Sequence, residues 1–179
     1  MTIYIAFLRG INVGGHKKIK MADLRLLLES MGLQNVQTYI QSGNVLFESE
    51  EKSGKLHQML ELGIKDKFGF PVAVILRTST ELEQIMELSP YNFNSLAESE
   101  SIHLSLLAEL PSQERVEDIH NFQSGVDQCQ IKGKEVYLYL RQSIRDSKLT
   151  VRLSKIGVPS TSRNWKTIMK LSAMAKAME

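Results

Sequence analysis

Three short segments mix glycine or asparagine with polar and charged side chains at points where an apolar run stops. A hydrophobic core has no need of such groups, whereas loops held by a rigid scaffold commonly carry binding sites. Together the segments indicate a site for a polar, anionic ligand. They are Arg9–Gly15, Gln41–Asn44 and Arg163–Thr167.

In the first segment, glycines follow an apolar strand. Gly10, Gly14 and Gly15 permit positive φ angles and close approach of a ligand. A loop between a strand and a helix also directs backbone N–H groups at an anion. The cations beside these glycines are Arg9, Lys17 and Lys18. The spacing from Gly10 to Gly15 is that of a P-loop, but His16 replaces the required lysine. The alternative is a turn that simply needs glycine.

The second segment predicts a tight hairpin turn at Ser42-Gly43, in which Ser42 and Asn44 hydrogen-bond to their own backbone. The alternative role is recognition, because Gln41 and Asn44 place amides on either side of the turn. We expect this hairpin at the end of the sheet opposite the first segment. Whether the two loops touch is left open.

The third segment predicts a basic helix start. The last helix is expected to begin at 162 or 163. Lys166 and Lys170 are four residues apart and share a face of this helix, and Arg163 lies one turn before Lys166. Such a stripe suits phosphates, and it is equally typical of a solvated helix. Trp165 anchors the helix to the core or stacks on a base, and Asn164 offers an amide to a polar edge.

No catalytic or metal-binding constellation is recognisable in the sequence. The four histidines are scattered, and the single cysteine, Cys129, lies in a predicted strand rather than at a helix start. We therefore predict no metal and no cofactor, and enzymatic activity is left open.

Composition indicates a globular protein of 179 residues with 42% hydrophobic content and a net charge of +2. The charge is uneven: residues 1–20 hold four Lys or Arg and no acid, and residues 141–179 hold nine against two acids. Basic ends create a local positive field. No apolar stretch approaches the roughly 18 residues of a membrane helix. With one cysteine and no signal peptide, a cytoplasmic location is expected, with no membrane partner.

The hydrophobic period alternates between strand and helix in a regular order. Strand, helix, strand, strand, helix, strand is the ferredoxin-like order, and it occurs twice. We predict an α+β fold of two tandem ferredoxin-like βαββαβ halves, 1–88 and 101–179, with an additional C-terminal helix and a polar linker at 89–100. The halves are expected to share order but not residues, so any site is asymmetric. The predicted strands are 3–8, 36–40, 45–47, 72–77, 102–107, 127–131 and 135–140, with an extended piece at 158–163. The predicted helices include 21–31, 56–68, 80–88 and 146–156.

The motifs RGINVGG at 9–15, T-Y-x-QSGN-V-x-F at 38–47 and RNW-K-T-x-x-KL at 163–171 together resemble the bacterial domain-of-unknown-function family 1697. The resemblance spans Ile5 to Met174. It implies a cytoplasmic bacterial α+β protein of unassigned function, with no established activity or cofactor.

The leading hypothesis is a protein that binds a phosphate-bearing ligand, either nucleic acid or a nucleotide. One alternative is an enzyme acting on a small anionic metabolite, and another is a structural or protein-interaction module without a small ligand. The oligomeric state is not predicted. The candidate ligand-binding residues are Arg9, Asn12, Gly14, Gly15, Lys17, Lys18, Asn44, Arg163, Asn164, Trp165, Lys166 and Lys170.

Overall fold

The computed structural model describes residues 1–122 and 126–179. The fold is α+β with two four-stranded antiparallel sheets, each within a ferredoxin-like βαββαβ half, followed by a C-terminal helix. The chain forms two compact units. The first unit comprises 1–84 and 170–179, and the second comprises 85–169. The domain limits 1–88 and 101–179 stay a prediction, and 123–125 within the second lie outside the described residues.

The first unit contains one complete βαββαβ motif. Its elements are β1 (Thr2–Leu8), α1 (Met21–Ser30), β2 (Gln34–Tyr39), β3 (Asn44–Ser49), α2 (Ser53–Phe68), β4 (Val74–Thr78) and the larger part of α3 (Ser79–Glu87). The strand order is β2-β3-β1-β4, and all neighbours are antiparallel. Leu24 and Leu28 of α1 and Leu56 and Leu60 of α2 recur at helical spacing and are buried against β1. This packing holds β1 in place, and the first candidate segment begins directly after that strand.

The second unit repeats this arrangement. Its elements are β5 (Ser101–Leu107), α4 (Gln113–Asn121), β6 (Gln128–Lys132), β7 (Glu135–Leu140), α5 (Lys148–Leu153), β8 (Ser160–Asn164) and the start of α6 (Trp165–Met178). The strand order is β6-β7-β5-β8. Ile119 of α4 and Leu149 and Leu153 of α5 pack on Val136 and Leu138 of β7. The sequence prediction of the repeated order is therefore confirmed.

Helix α5 is shorter than the predicted range of 146–156. Ser147 is buried and caps the helix, because its Oγ accepts the N–H of Thr150 at 3.4 Å. Ser147 Oγ also donates to Asp127 Oδ2 at 2.7 Å. Asp127 was predicted to begin β6, but it precedes that strand and holds the start of α5 in place.

The last strand of each half carries an arginine at the equivalent position, which is one match between halves expected to share order but not residues. Arg77 pairs with Ile5 of β1, and Arg163 pairs with Leu104 of β5. Both arginines are buried. Each Nη1 donates to the carbonyl of the preceding residue, at 2.9 Å for Arg77 and 3.0 Å for Arg163. Single-residue similarity of this kind is invisible until the strand registers are known.

A helix cap follows each of these arginines. Thr78 Oγ1 accepts the N–H of Glu81 at 3.1 Å, and Asn164 Oδ1 accepts the N–H of Lys166 at 2.9 Å. Side-chain oxygens at these positions satisfy N–H groups that a helix start leaves unpaired. The unit strand–arginine–cap–helix is thus repeated in the two halves.

Across the described ranges, 1–122 and 126–179, no helix is long and apolar enough to cross a membrane.

Candidate functional site

The loop between β1 and α1 is a small preorganised hairpin. The N–H of Asn12 donates to the carbonyl of Lys17 at 3.1 Å, and the N–H of His16 donates to that of Val13 at 2.9 Å. Gly14 and Gly15 form the turn with φ angles of 58° and 76°. Two consecutive positive φ angles define the tight turn that prefers glycine at both central positions. The glycines therefore shape a two-residue turn and leave its backbone exposed.

Asn12 fixes the base of this hairpin. Its Nδ2 donates to the carbonyl of Ile19 at 3.0 Å and to the carbonyl of Gln41 at 2.8 Å, while its Oδ1 accepts the N–H of Ile19 at 2.8 Å. Its φ angle of 56° lies in the left-handed region that asparagine tolerates better than most residues. The amide of Asn12 is therefore engaged within the protein, and its predicted recognition of a ligand's polar edge stays a prediction.

The second segment lies beside the first, so the expectation that it occupies the opposite end of the sheet is wrong. β1 and β3 are antiparallel, with Phe7 beside Asn44, so the end of β1 adjoins the turn that precedes β3. The N–H of Leu8 donates to the carbonyl of Gly43 at 2.8 Å. A Cβ added at Gly43 would lie 2.8 Å from both Leu8 Cβ and Ile11 Cδ1. Glycine is thus required for this close approach.

A third loop, ahead of β4, completes the same surface. The N–H of Arg9 donates to the carbonyl of Ala73 at 3.0 Å, and Lys17 Nζ donates to the carbonyl of Pro71 at 3.1 Å. We call the surface formed by residues 9–20, 40–43 and 69–73 the basic loop surface.

The basic loop surface carries one sign of charge. Its sequence contains four Lys or Arg and no Asp or Glu. All four cations and His16 are exposed. Like charges without carboxylates raise the local positive potential, which attracts anions. Lys20 and His16 are additions to the predicted set, and the acid-free charge run of the N-terminal 20 residues was the sequence signal for them. The cations are Arg9, Lys17, Lys18 and Lys20.

Asn44 has a structural position rather than an exposed one. Its side chain is 0% exposed. Its Nδ2 donates to the carbonyl of Tyr39 and to Ser42 Oγ, both at 3.0 Å. These bonds hold the β2–β3 turn. Of the two roles considered for this segment from its sequence, they favour the hairpin turn.

Arg163 lies in β8, so the prediction that it begins the last helix is wrong. The helix starts at Trp165. The Arg163 side chain is 7% exposed, and its Nη1 donates to Thr161 Oγ1 at 2.6 Å. Burial lowers the pKa of its guanidinium to about 10, because the charged form loses hydration. Arg163 and Lys166 are spaced in sequence like neighbours on a helix, but Arg163 pairs with β5 as part of a strand. The motif alone does not reveal this pairing.

The remaining residues of the third segment form the start of α6. Asn164 is its cap, as described above. Trp165 is 6% exposed, and its ring lies 6.4 Å from that of Tyr137, so it anchors the helix. Lys166 and Lys170 are exposed and four residues apart on α6.

Within the described part of the chain, no group of three or more His, Cys, Asp or Glu side chains is placed to hold a metal ion. Cys129 is half-buried, and burial raises the pKa of its thiol to about 11. A thiol that stays protonated at neutral pH is a poor nucleophile.

The fold is that of a tandem ferredoxin-like α+β protein, and the basic loop surface is exposed. The family model described as "Protein of unknown function (DUF1697)" matches residues 1–137, so the chain belongs to that family. The matched range contains the first and second motifs.

One solved structure extends the comparison to the whole fold. The conserved bacterial protein SP0830 from Streptococcus pneumoniae matches with a TM-score of 0.79 and 27% sequence identity. The match covers 97% of this chain and 98% of that chain. No curated protein matches the chain.

Proposed function

We propose that the protein binds a phosphate-bearing ligand through the basic loop surface, and that the ligand is a nucleic acid. The observation that carries this proposal is a fixed loop bearing exposed cations and no carboxylate. Asn12 holds the loop through its side-chain hydrogen bonds to Ile19 and Gln41. Because the loop is ordered before binding, little conformational entropy remains to be lost when an anion is bound.

The exposure of the surface favours a polymer over an enclosed metabolite. Arg9, Lys17 and Lys18 are all exposed. A Cβ placed at Gly14 or Gly15 would meet only one side-chain atom, at 3.8 and 3.9 Å respectively. A phosphate backbone is contacted by cations and backbone N–H groups of this exposed kind. A small-metabolite enzyme normally encloses most of its ligand.

In this proposal the exposed cations neutralise phosphates, and the backbone at Gly14 and Gly15 approaches them closely. Asn12 positions the loop. Lys166 and Lys170 are each proposed as further phosphate contacts. For Arg163, Trp165 and Asn44, burial supports a structural role instead. We also infer a cytoplasmic setting from the single cysteine, Cys129.

Titration with a fluorescently labelled single-stranded oligonucleotide and a duplex of the same length, at about 50 and 200 mM salt, tests the proposal. Neutralising three or four phosphates predicts a slope of log K against log salt of about −2.7 to −3.6 for the duplex and about −2.1 to −2.8 for the single strand. Affinity should thus fall over that range by about 40- to 150-fold for the duplex and about 20- to 50-fold for the single strand.

The double variant Arg9→Ala/Lys18→Ala should weaken binding and make the slope shallower by about 2. A matched control is Lys52→Ala/Lys55→Ala, which removes the same charge at the start of α2. The proposal fails if no oligonucleotide binds or if affinity does not change with salt concentration. It also fails if the two double variants show the same affinity and the same salt slope.

A further inference from the structure

The segment predicted to be a polar linker forms one wall of a pocket in the second unit. A cavity of about 450 Å³ opens between residues 89–94 and the start of α6. Its lining includes the rings of Tyr91, Phe93 and Trp165. Pockets for small ligands are typically about 300–1,000 Å³ and rich in aromatic side chains. We propose that this pocket, here named the aromatic pocket, binds the base of a nucleotide or of single-stranded nucleic acid.

The walls of the aromatic pocket are held by contacts outside it. The Trp165 ring lies 6.4 Å from the ring of Tyr137, and the Tyr91 ring lies 5.5 Å from the ring of Tyr139. Tyr137 is in turn fixed by its Oη, which donates to the carbonyl of Ile85 at 2.6 Å. Trp165 is 6% exposed and forms a fixed wall. The half-buried rings of Tyr91 and Phe93 supply the stacking surface, and their fixed setting keeps the entropic cost of binding low.

The loop that presents Phe93 is also ordered by its own side chains. Ser89 Oγ donates to the carbonyl of Tyr91 at 3.1 Å and accepts the N–H of Tyr91 at 3.3 Å. Asn92 Oδ1 accepts the N–H of Asn94 at 2.9 Å and caps a short 3₁₀ turn, Phe93–Ser95. Phe93 itself remains only half-buried. A stacked base would cover the part of its ring that now faces water.

The chemistry of the lining favours a base over an acyl chain. Asn94 is exposed and lines the same cavity, and asparagine amides recognise the polar edges of bases. None of the described residues that line the cavity is charged. Two cations lie beside the lining, because Lys132 Nζ donates to the carbonyl of Leu88 at 2.8 Å and Lys166 follows Trp165. One acid, the exposed Glu87, follows Met86 of the lining. A flat ring with a polar edge fits the uncharged lining itself.

Trp165 is the only tryptophan of the chain, so its fluorescence reports on the aromatic pocket. The probes are adenosine monophosphate, a short oligodeoxyadenylate and ribose 5-phosphate. We expect saturable quenching by either or both base-bearing probes and none by ribose 5-phosphate. Quenching by the oligonucleotide alone would identify a polymer as the source of the base. The inference is overturned if neither base-bearing probe quenches, or if ribose 5-phosphate competes equally well.

Two variants locate the binding. Phe93→Ala should weaken the base-bearing probes by about 5- to 150-fold, the range measured for loss of a base-stacking side chain. Met169→Glu, at an exposed helical position that lines the cavity, should have a similar effect by repelling phosphate. Leu110→Glu, at an exposed position elsewhere in the second unit, is the matched control. Unchanged affinity in a folded Phe93→Ala or Met169→Glu protein would refute the assignment.

The inference rests on the proposed function for the class of its ligand, a nucleic acid or nucleotide, and the two fail in different ways. Loss of quenching with salt-dependent oligonucleotide binding intact would remove the aromatic pocket alone. Base-dependent quenching that Phe93→Ala weakens, together with oligonucleotide affinity that ignores salt, would remove the basic loop surface alone.

Discussion

Replacing Asn12 by alanine tests whether the basic loop surface is fixed in the way the structure indicates. The change removes the bonds from Nδ2 to the carbonyls of Ile19 and Gln41 and the bond from the Ile19 N–H to Oδ1. Each such bond contributes about 0.5–1.5 kcal/mol net. Because the side chain is half-buried, about 2 kcal/mol for the set is a reasonable total.

Backbone strain adds to this loss. Asn12 has a φ of 56°, and an alanine in that region costs roughly 1–2 kcal/mol. The expected decrease in the free energy of unfolding is therefore about 3–4 kcal/mol. For a protein of this size it corresponds to a fall in Tm of about 6–16 °C.

Asn35→Ala is a matched control, because Asn35 also has a positive φ, of 49°, but its side chain makes one exposed bond, to Glu48 Oε2 at 2.7 Å. Denaturant unfolding measures both variants, and hydrogen exchange at the Ile19 amide reports on the loop itself. Asn12→Ala should cost at least about 1 kcal/mol more than Asn35→Ala and should accelerate that exchange. Equal costs with unchanged exchange would refute the role assigned to Asn12.

Three further predictions concern the second unit. Asn164→Ala should cost about 1 kcal/mol through loss of the α6 cap and leave oligonucleotide affinity unchanged, whereas weaker binding would make Asn164 a ligand contact. Burial lowers the pKa of His103, so the unfolded chain takes up its proton first. Stability should then decline as the pH falls below about 6.5, and His103→Gln should flatten that decline in pH-dependent melts. Burial raises the pKa of the Cys129 thiol to about 11. The thiol's contribution to the free energy of unfolding is therefore complete below its pKa in the unfolded chain and is lost as the pH rises through about 9 to 11. A thiol reagent should react slowly at pH 8 with the folded protein and rapidly with the unfolded protein. Equal rates would contradict that burial.

Much of the fold was predictable because its signals are local. The helical spacing of Leu56 and Leu60 and the glycines of the first loop depend on neighbours within a few residues. The shared position of the first two loops was also within reach. In the order β2-β3-β1-β4 with antiparallel neighbours, the β2–β3 turn must lie at the end where β1 stops.

The rest of the candidate site depends on contacts between distant parts of the chain. Asn12 meets Gln41, and Lys17 meets Pro71, pairs that no local pattern connects. Arg163 looks like a helical cation in sequence, but pairing of β8 with β5 buries it. Such tertiary placement decides which side chains are buried, and local spacing in the sequence does not reveal it.

The most direct test of the central claim is an NMR titration of the ¹⁵N-labelled protein with a short oligonucleotide. The glycine amides of the first loop resonate in a distinctive region and report on the surface itself. We expect the largest changes in chemical shift at Gly10, Gly14, Gly15 and Lys18, and we expect these changes to diminish at high salt. Changes confined to other parts of the chain, or no changes at all, would contradict the central claim.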